Sequence, residues 1–237
     1  QYIFSFMTNF EPVRWRWTHT LHHSYTLHTK EPLDFEIQVD RPSKLIKYFV
    51  SFLPFGPLLW IHQSYLAETL KNSLGIMTPV IEDCVPKEHQ WKVFLSSRIH
   101  MLIWVSIIIL SIYFSTILPV LFFLLPTFYG NTFFALCGLT QHAGLAFDVK
   151  DHRVNTRTVI LNPILSWLYV KLEYHQEHHM FPQVPWYNLP KLHALIKDQM
   201  PKPNKGLISA YRDIIPAIIK QAYDPSFVPD RKLPESV

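Results

Sequence analysis

From Ile99 to Phe147 the chain runs for 49 residues without one Asp, Glu, Lys or Arg, crowded instead with Ile, Leu, Phe and Val. A helix crosses a bilayer with about 20 apolar residues, so this run is long enough for two crossings. Proline and glycine interrupt helix hydrogen bonding near Pro119 and again from Pro126 to Gly130. The pattern therefore predicts a transmembrane hairpin, about 99 to 118 outward and about 120 to 140 back. The competing reading, one very long buried helix of a soluble protein, asks for a larger core than 237 residues normally build.

A second apolar segment, Leu45 to Tyr65, contains Lys47, Pro54, Gly56 and Pro57. It reads as a broken, interfacial or re-entrant element rather than a third crossing. Trp60 suits the headgroup region there, although core packing accommodates it as well. From Lys191 onward Pro, Lys and apolar residues alternate, which predicts an amphipathic helix near Ala210 to Tyr223 within a C-terminal tail of about 200 to 237. The fold class expected is an all-α integral membrane protein, a helical hairpin carrying a cytoplasmic helical cap, with 1–237 as a single domain.

Charge placement orients the hairpin. Of 22 Lys and Arg, ten precede Ile99 and twelve follow Phe147, so the turn between the two crossings carries none. Cytoplasmic segments of membrane proteins hold the excess of Lys and Arg, which puts both flanks on the cytoplasmic face. The net charge of +4 and a pI near 9.0 fit a surface facing anionic headgroups. No interleaved basic and aromatic motif argues for nucleic acid. Two cysteines, Cys84 and Cys137, are too few for a disulfide framework, an iron–sulfur cluster or a CxxC redox pair. There is no GxGxxG and no GxxxxGK[ST], so any electrons must come from another protein.

The chemistry is carried by two copies of one pattern. His19-Thr20-Leu21-His22-His23 lies before the apolar run, and His175-Gln176-Glu177-His178-His179 lies after it. On a helix, positions i, i+3 and i+4 share one face, so each box presents three imidazoles to a common point. Imidazole suits zinc, copper, iron and nickel, and six of them without a thiolate exceed the four ligands of a structural zinc site. A two-metal centre is the simplest use of so many. Two crossings return the chain to the side it left, so both boxes fall on one face of the membrane.

HTLHH at 19–23, QHAGL at Gln141 to Leu145 and EYHQEHHMFPQVPWYNLPKLH at Glu173 to His193 together resemble the membrane fatty acid desaturase and hydroxylase superfamily, over roughly residues 10 to 200. The resemblance implies a cytoplasmic-facing centre of two Fe ions, with O2 as co-substrate and a fatty acyl lipid as substrate. Its metal ligands would be His19, His22, His23, His175, His178 and His179. His142 joins them by its position between the last crossing and the final box. No catalytic residue beyond the ligands is expected. The family's earlier box, HxxxH or HxxxxH, has no counterpart here, and because the chain opens at Gln1 the expectation is an N-terminally truncated four-helix desaturase.

The other histidines, His28, His62, His89, His100, His152 and His193, are isolated in spacing and read as structural or solvent-facing. Ligating histidines usually give their second ring N–H to a carboxylate or carbonyl. The acids near enough in sequence are Asp34, Glu36, Asp148, Asp151, Glu173 and Glu177, each with a plain surface reading beside it. Asn155 and Arg157, in DHRVNTRT, orient ligands, bind a headgroup or belong to an ordinary loop. Removing hydrogen from an unactivated methylene needs an oxidant stronger than any side chain, and iron with O2 supplies one. Desaturation is the outcome the resemblance implies, with cytochrome b5 or a ferredoxin as electron donor. Hydroxylation, carotenoid oxygenation and decarboxylation to a terminal alkene share its first step, and a non-catalytic metal-binding or transport protein is the reading from another class.

Overall fold

A computed structural model describes residues 5–6, 10–36, 39–53, 56, 65–129 and 131–234. The described chain is mostly helical, with a single two-residue strand pair. It divides into two compact units interleaved in sequence: 1–21 with 49–132, and 22–48 with 133–237.

In the first unit, helix α1 (Pro12–Ser24) begins where Glu11 turns its carboxylate onto the free N–H groups of Val13 and Arg14, at 3.0 and 2.6 Å. Pro12 costs nothing there, because a first-turn N–H has no helical acceptor. The last three residues of α1 fall in the second unit, and α2 (Pro42–Phe52) begins in the second unit and ends in the first. Helices α3 (Tyr65–Ser73), α4 (Pro79–Cys84) and α5 (Lys87–Tyr113) complete the main elements of the first unit. Its core is Val13, Ile81, Val85 and Val93, with Trp17, Cys84 and Phe94 packed against it.

Helix α5 has 27 residues and is the one described helix long and apolar enough to cross a membrane, about 40 Å at 1.5 Å per residue. It starts twelve residues before the apolar run. Its first turns, holding Lys87, Glu88, Lys92 and Arg98, pack on protein through the buried Val93, Ser96 and Ser97, and Arg98 donates to Ser73 O at 3.1 Å. Beyond them Leu102, Ile109 and Ile112 stand exposed, and a helix whose apolar surface faces outward is lipid-suited. The segment expected to return is not one helix. After Ser115, at φ +48°, come a π-helical turn at Val120–Leu124, then α6 (Pro126–Tyr129), then α7 (Asn131–His142). Pro119 and Pro126 lack the N–H that continuation requires. Of the predicted interfacial segment, Leu45 to Phe52 belongs to α2, while 54–55 and 57–64, with Trp60 and His62, lie outside the described residues.

The second unit is built on α7, α8 (His152–Asn155), strand β1 (Val159–Ile160), α9 (Pro163–Leu168), α10 (His175–Met180), α11 (Leu189–Ile196), strand β2 (Asn204–Lys205) and α12 (Gly206–Tyr223). The strands pair in parallel, Val159 with Asn204. Helix α12 begins four residues earlier than expected and buries Ala210, Ile214, Ala217, Ile218 and Gln221, one stripe at helical spacing. The stripe closes on the corner after α7. Gly144 sits there at φ +68°, and a Cβ would stand 3.0 Å from the Ala217 Cβ and 3.2 Å from Ile214 O. Gln221 then donates to Leu145 O at 2.9 Å, and Tyr211 to Leu136 O at 2.7 Å. The result is a corner held rigidly two residues after His142.

Candidate metal centre

Three segments of the second unit bring their histidines together: the last turn of α1, the last residue of α7 and the whole of α10. Helix C-termini carry partial negative charge, so the ends of α1 and α7 favour a cation beside His22, His23 and His142. Helix α10 is short enough that His175, His178 and His179 form nearly its entire length, on one face by the i, i+3, i+4 spacing.

The Nε2 atoms of four rings converge. His22 Nε2 lies 3.3 Å from His142 Nε2, His142 Nε2 lies 2.8 Å from His175 Nε2, and His175 Nε2 lies 3.0 Å from His179 Nε2. All four offer a ligand atom within 4.8 Å of every other. The opposite ring nitrogens show which protons are present. His22 Nδ1 meets the Asp34 carboxylate at 2.9 Å, and His142 Nδ1 meets Asn155 O at 3.0 Å. A carboxylate or a carbonyl only accepts, so in the neutral rings the proton sits on Nδ1 and Nε2 is a bare lone pair. His179 Nδ1 is 3.1 Å from the Thr26 hydroxyl. His175 Nδ1 is buried with no hydrogen-bond partner among the described residues.

Burial pushes His142, His175 and His179 well below the usual imidazole range, and the neighbouring histidines push them the same way. Burial also pulls His22 down, but the Asp34 hydrogen bond and the charges of Glu36 and Asp34 outweigh it and leave the net shift upward. Lone pairs facing one another at these distances repel unless a proton or a cation sits between them. Two imidazoles bound to one first-row cation at about 2.1 Å place their nitrogens about 3 Å apart, as these nitrogens are. The donor set fits a metal.

A second group lies alongside. The rings of His23 and His178 meet edge to face at 4.6 Å, and His23 stacks on His179 at 4.2 Å. His19, one turn before His23 on α1, offers a ring nitrogen within 4.8 Å of one on His23.

Asp34 reaches a ligand, and the charge of Glu36 acts on the same ring. Asp34 also accepts from Leu27 N at 2.8 Å and Glu36 N at 2.9 Å, so its carboxylate is fixed before it meets His22. The other acids do different work. Asp148 holds Thr29, Asp151 caps α8 and pairs with Arg153, and buried Glu173 has Ser166 beside it. Glu177 is fully buried but faces away from the ligands, accepting from Thr158 Oγ1 at 2.6 Å and pairing with His193 Nδ1. His193 therefore has a defined partner that its isolated spacing did not signal.

DHRVNTRT proves to be the cradle of His142. Besides accepting from its ring, Asn155 donates to Val149 O at 2.8 Å and to Thr26 O at 3.4 Å. Arg157 is buried, donates its backbone N–H to Gln141 O at 2.8 Å, and caps α7 with its guanidinium on Thr140 O at 2.8 Å and Ala143 O at 3.1 Å. Burial, with the nearby charge of Arg231, lowers Arg157 to about 9. His152 stands against His179 at 5.2 Å between ring centres, with Nδ1 3.3 Å from Asn155 Oδ1. Thr26, Thr158 and the position of His152 left no mark in the sequence pattern, because their partners are remote in the chain.

No curated protein and no solved structure matches this chain. The model of the family described as fatty acid desaturase matches residues 2–211. The chain thus belongs to the fatty acid desaturase family.

Proposed function

We propose that this chain oxidises an unactivated C–H bond of a fatty acyl chain with O2, by desaturation, at a centre of two Fe ions. The observation that carries the reading is the convergence of the Nε2 atoms of His22, His142, His175 and His179. In this reading those four hold one iron, and His19, His23 and His178 hold the other. Iron supplies the one-electron oxidation of C–H bonds by O2 that side chains cannot perform.

The protein's own part is binding, orientation and exclusion of water. Asp34 and Asn155 fix the ring planes and tautomers of His22 and His142, and outer partners of this kind raise ligand basicity. Arg157 anchors the helix end that presents His142. The burial of His22, His175 and His179 keeps bulk water from the reacting carbon, which limits side reactions. In this reading about 99 to 118 and about 120 to 140 form a membrane hairpin, both boxes face the cytoplasm, and an acyl substrate arrives by lateral diffusion in the bilayer. The basic balance of +4 suits an acidic electron donor such as cytochrome b5 or a ferredoxin.

Mass spectrometry of lipids from a host expressing the protein tests the reaction. A new double bond in host acyl chains is expected, lost in His178→Ala together with bound iron, while His89→Ala leaves both nearly unchanged. A hydroxylated or terminally unsaturated product would overturn desaturation, and full activity in His178→Ala would overturn the metal assignment.

A further inference from the structure

The wiring behind the ring nitrogens singles out a residue that no histidine pattern marks. Thr26 lies in the turn after α1, 1% exposed. Its hydroxyl oxygen is 2.6 Å from His22 O and 3.1 Å from His179 Nδ1. A hydroxyl has one proton, and a carbonyl only accepts. The proton of Thr26 therefore goes to His22 O, and its lone pair receives the Nδ1–H of His179. With the proton on Nδ1, His179 Nε2 is left bare and turned toward His175 Nε2 at 3.0 Å.

We propose that Thr26 is the positioning residue for His179, setting its tautomer and tying the chain after the first histidine box to the ligand helix of the second. The proposal rests on the metal reading above. Asp34 and Asn155 impose a tautomer because their oxygens have nothing to donate. A hydroxyl is ambivalent, and here the backbone carbonyl of one ligand, His22, removes the ambiguity for another, His179. The backbone of Thr26 is held as well, since Asn155 Nδ2 donates to Thr26 O at 3.4 Å while Asn155 O receives His142 Nδ1. One threonine and one asparagine thus link His22, His142 and His179, which come from three separate stretches of sequence.

Thr26→Val keeps the side-chain volume and removes both hydrogen bonds, whereas Thr26→Ser keeps both. The full chain, purified in detergent and loaded with ferrous iron, is challenged with a chelator, and iron release is followed alongside the number of imidazoles per iron from X-ray absorption. Wild type and Thr26→Ser should retain iron, while Thr26→Val should release it roughly tenfold to a hundredfold faster, the usual cost of losing an outer partner of a ligand. Wild type that holds no iron would sink the metal reading itself. Wild type that holds iron while Thr26→Val releases it at the same rate would sink the role of Thr26 alone. A readout independent of how that variant folds is the ¹⁵N spectrum of the metal-free wild-type imidazoles, with His179 assigned from the signal lost in His179→Asn. The Nδ1–H tautomer is expected, and Nε2–H would overturn the proposal.

Discussion

Asp34 and Asp148 are both acids near the first box, and the difference between them shows what an outer carboxylate needs in order to act on a ligand. Asp34 is buried, preorganised by two backbone N–H groups and 2.9 Å from His22 Nδ1. Asp148 is exposed and holds Thr29. Asp34→Ala should weaken iron binding roughly tenfold to a hundredfold, and Asp148→Ala should leave it within about twofold, as an exposed hydrogen-bonding pair contributes little. Iron titration of the two purified variants decides it, and equal affinities would mean that His22 does not depend on its partner. At this scale the sequence marks the six box histidines, which cluster in the structure, because i, i+3, i+4 is a local rule that the chain itself displays. His142, which groups with them, was marked through family likeness. The sequence left six acids undifferentiated, because the contact of Asp34 with a ligand ring spans twelve positions with no periodicity to announce it. His193 and Glu177 stayed hidden for the same reason.

Elements hold these residues in register, and the corner after α7 is tightly constrained. Gly144 occupies a left-handed backbone conformation with the α12 backbone 3.2 Å from where a Cβ would stand. Gly144→Ala is both strained and crowded there, at a cost of roughly 1–3 kcal/mol, and it should lower the melting temperature and weaken iron retention, because His142 lies two residues away. A thermal melt with parallel iron analysis checks this, and an unchanged melt would show that α12 does not close on that corner. The periodic burial of α12 was legible from its apolar spacing, and so were the prolines that divide the limb from 119 to 142. The start of α5 was not. Loss of charge marks where a lipid-facing surface begins, whereas a helix begins where its backbone is first satisfied, and the charged turns at 87–98 are stabilised by packing on protein. A two-residue strand pair such as Val159 with Asn204 is too short to impose a period of two on any sequence.

In the proposed reading the two histidine boxes, separated by more than 100 residues of chain, share one side of a membrane, and only an even number of crossings between them allows it. Helix α5 satisfies the length requirement for one crossing, with its apolar side chains turned outward. In that reading the return is the uncharged segment of about 120 to 140, which follows Pro119 and is divided at Pro126 into short helical pieces. Such breaks are tolerated in a bilayer where neighbouring helices or side chains satisfy the freed backbone groups. Single cysteines at Glu88→Cys, Ser115→Cys and Lys150→Cys, introduced after Cys84→Ser and Cys137→Ala, test this directly, since all three positions are exposed. In sealed vesicles of known orientation a membrane-impermeant maleimide should label positions 88 and 150 from the cytoplasmic side and 115 from the opposite side. Labelling of 88 and 150 from opposite sides would place one box across the bilayer from the other, and a single histidine-lined centre could not then form from both.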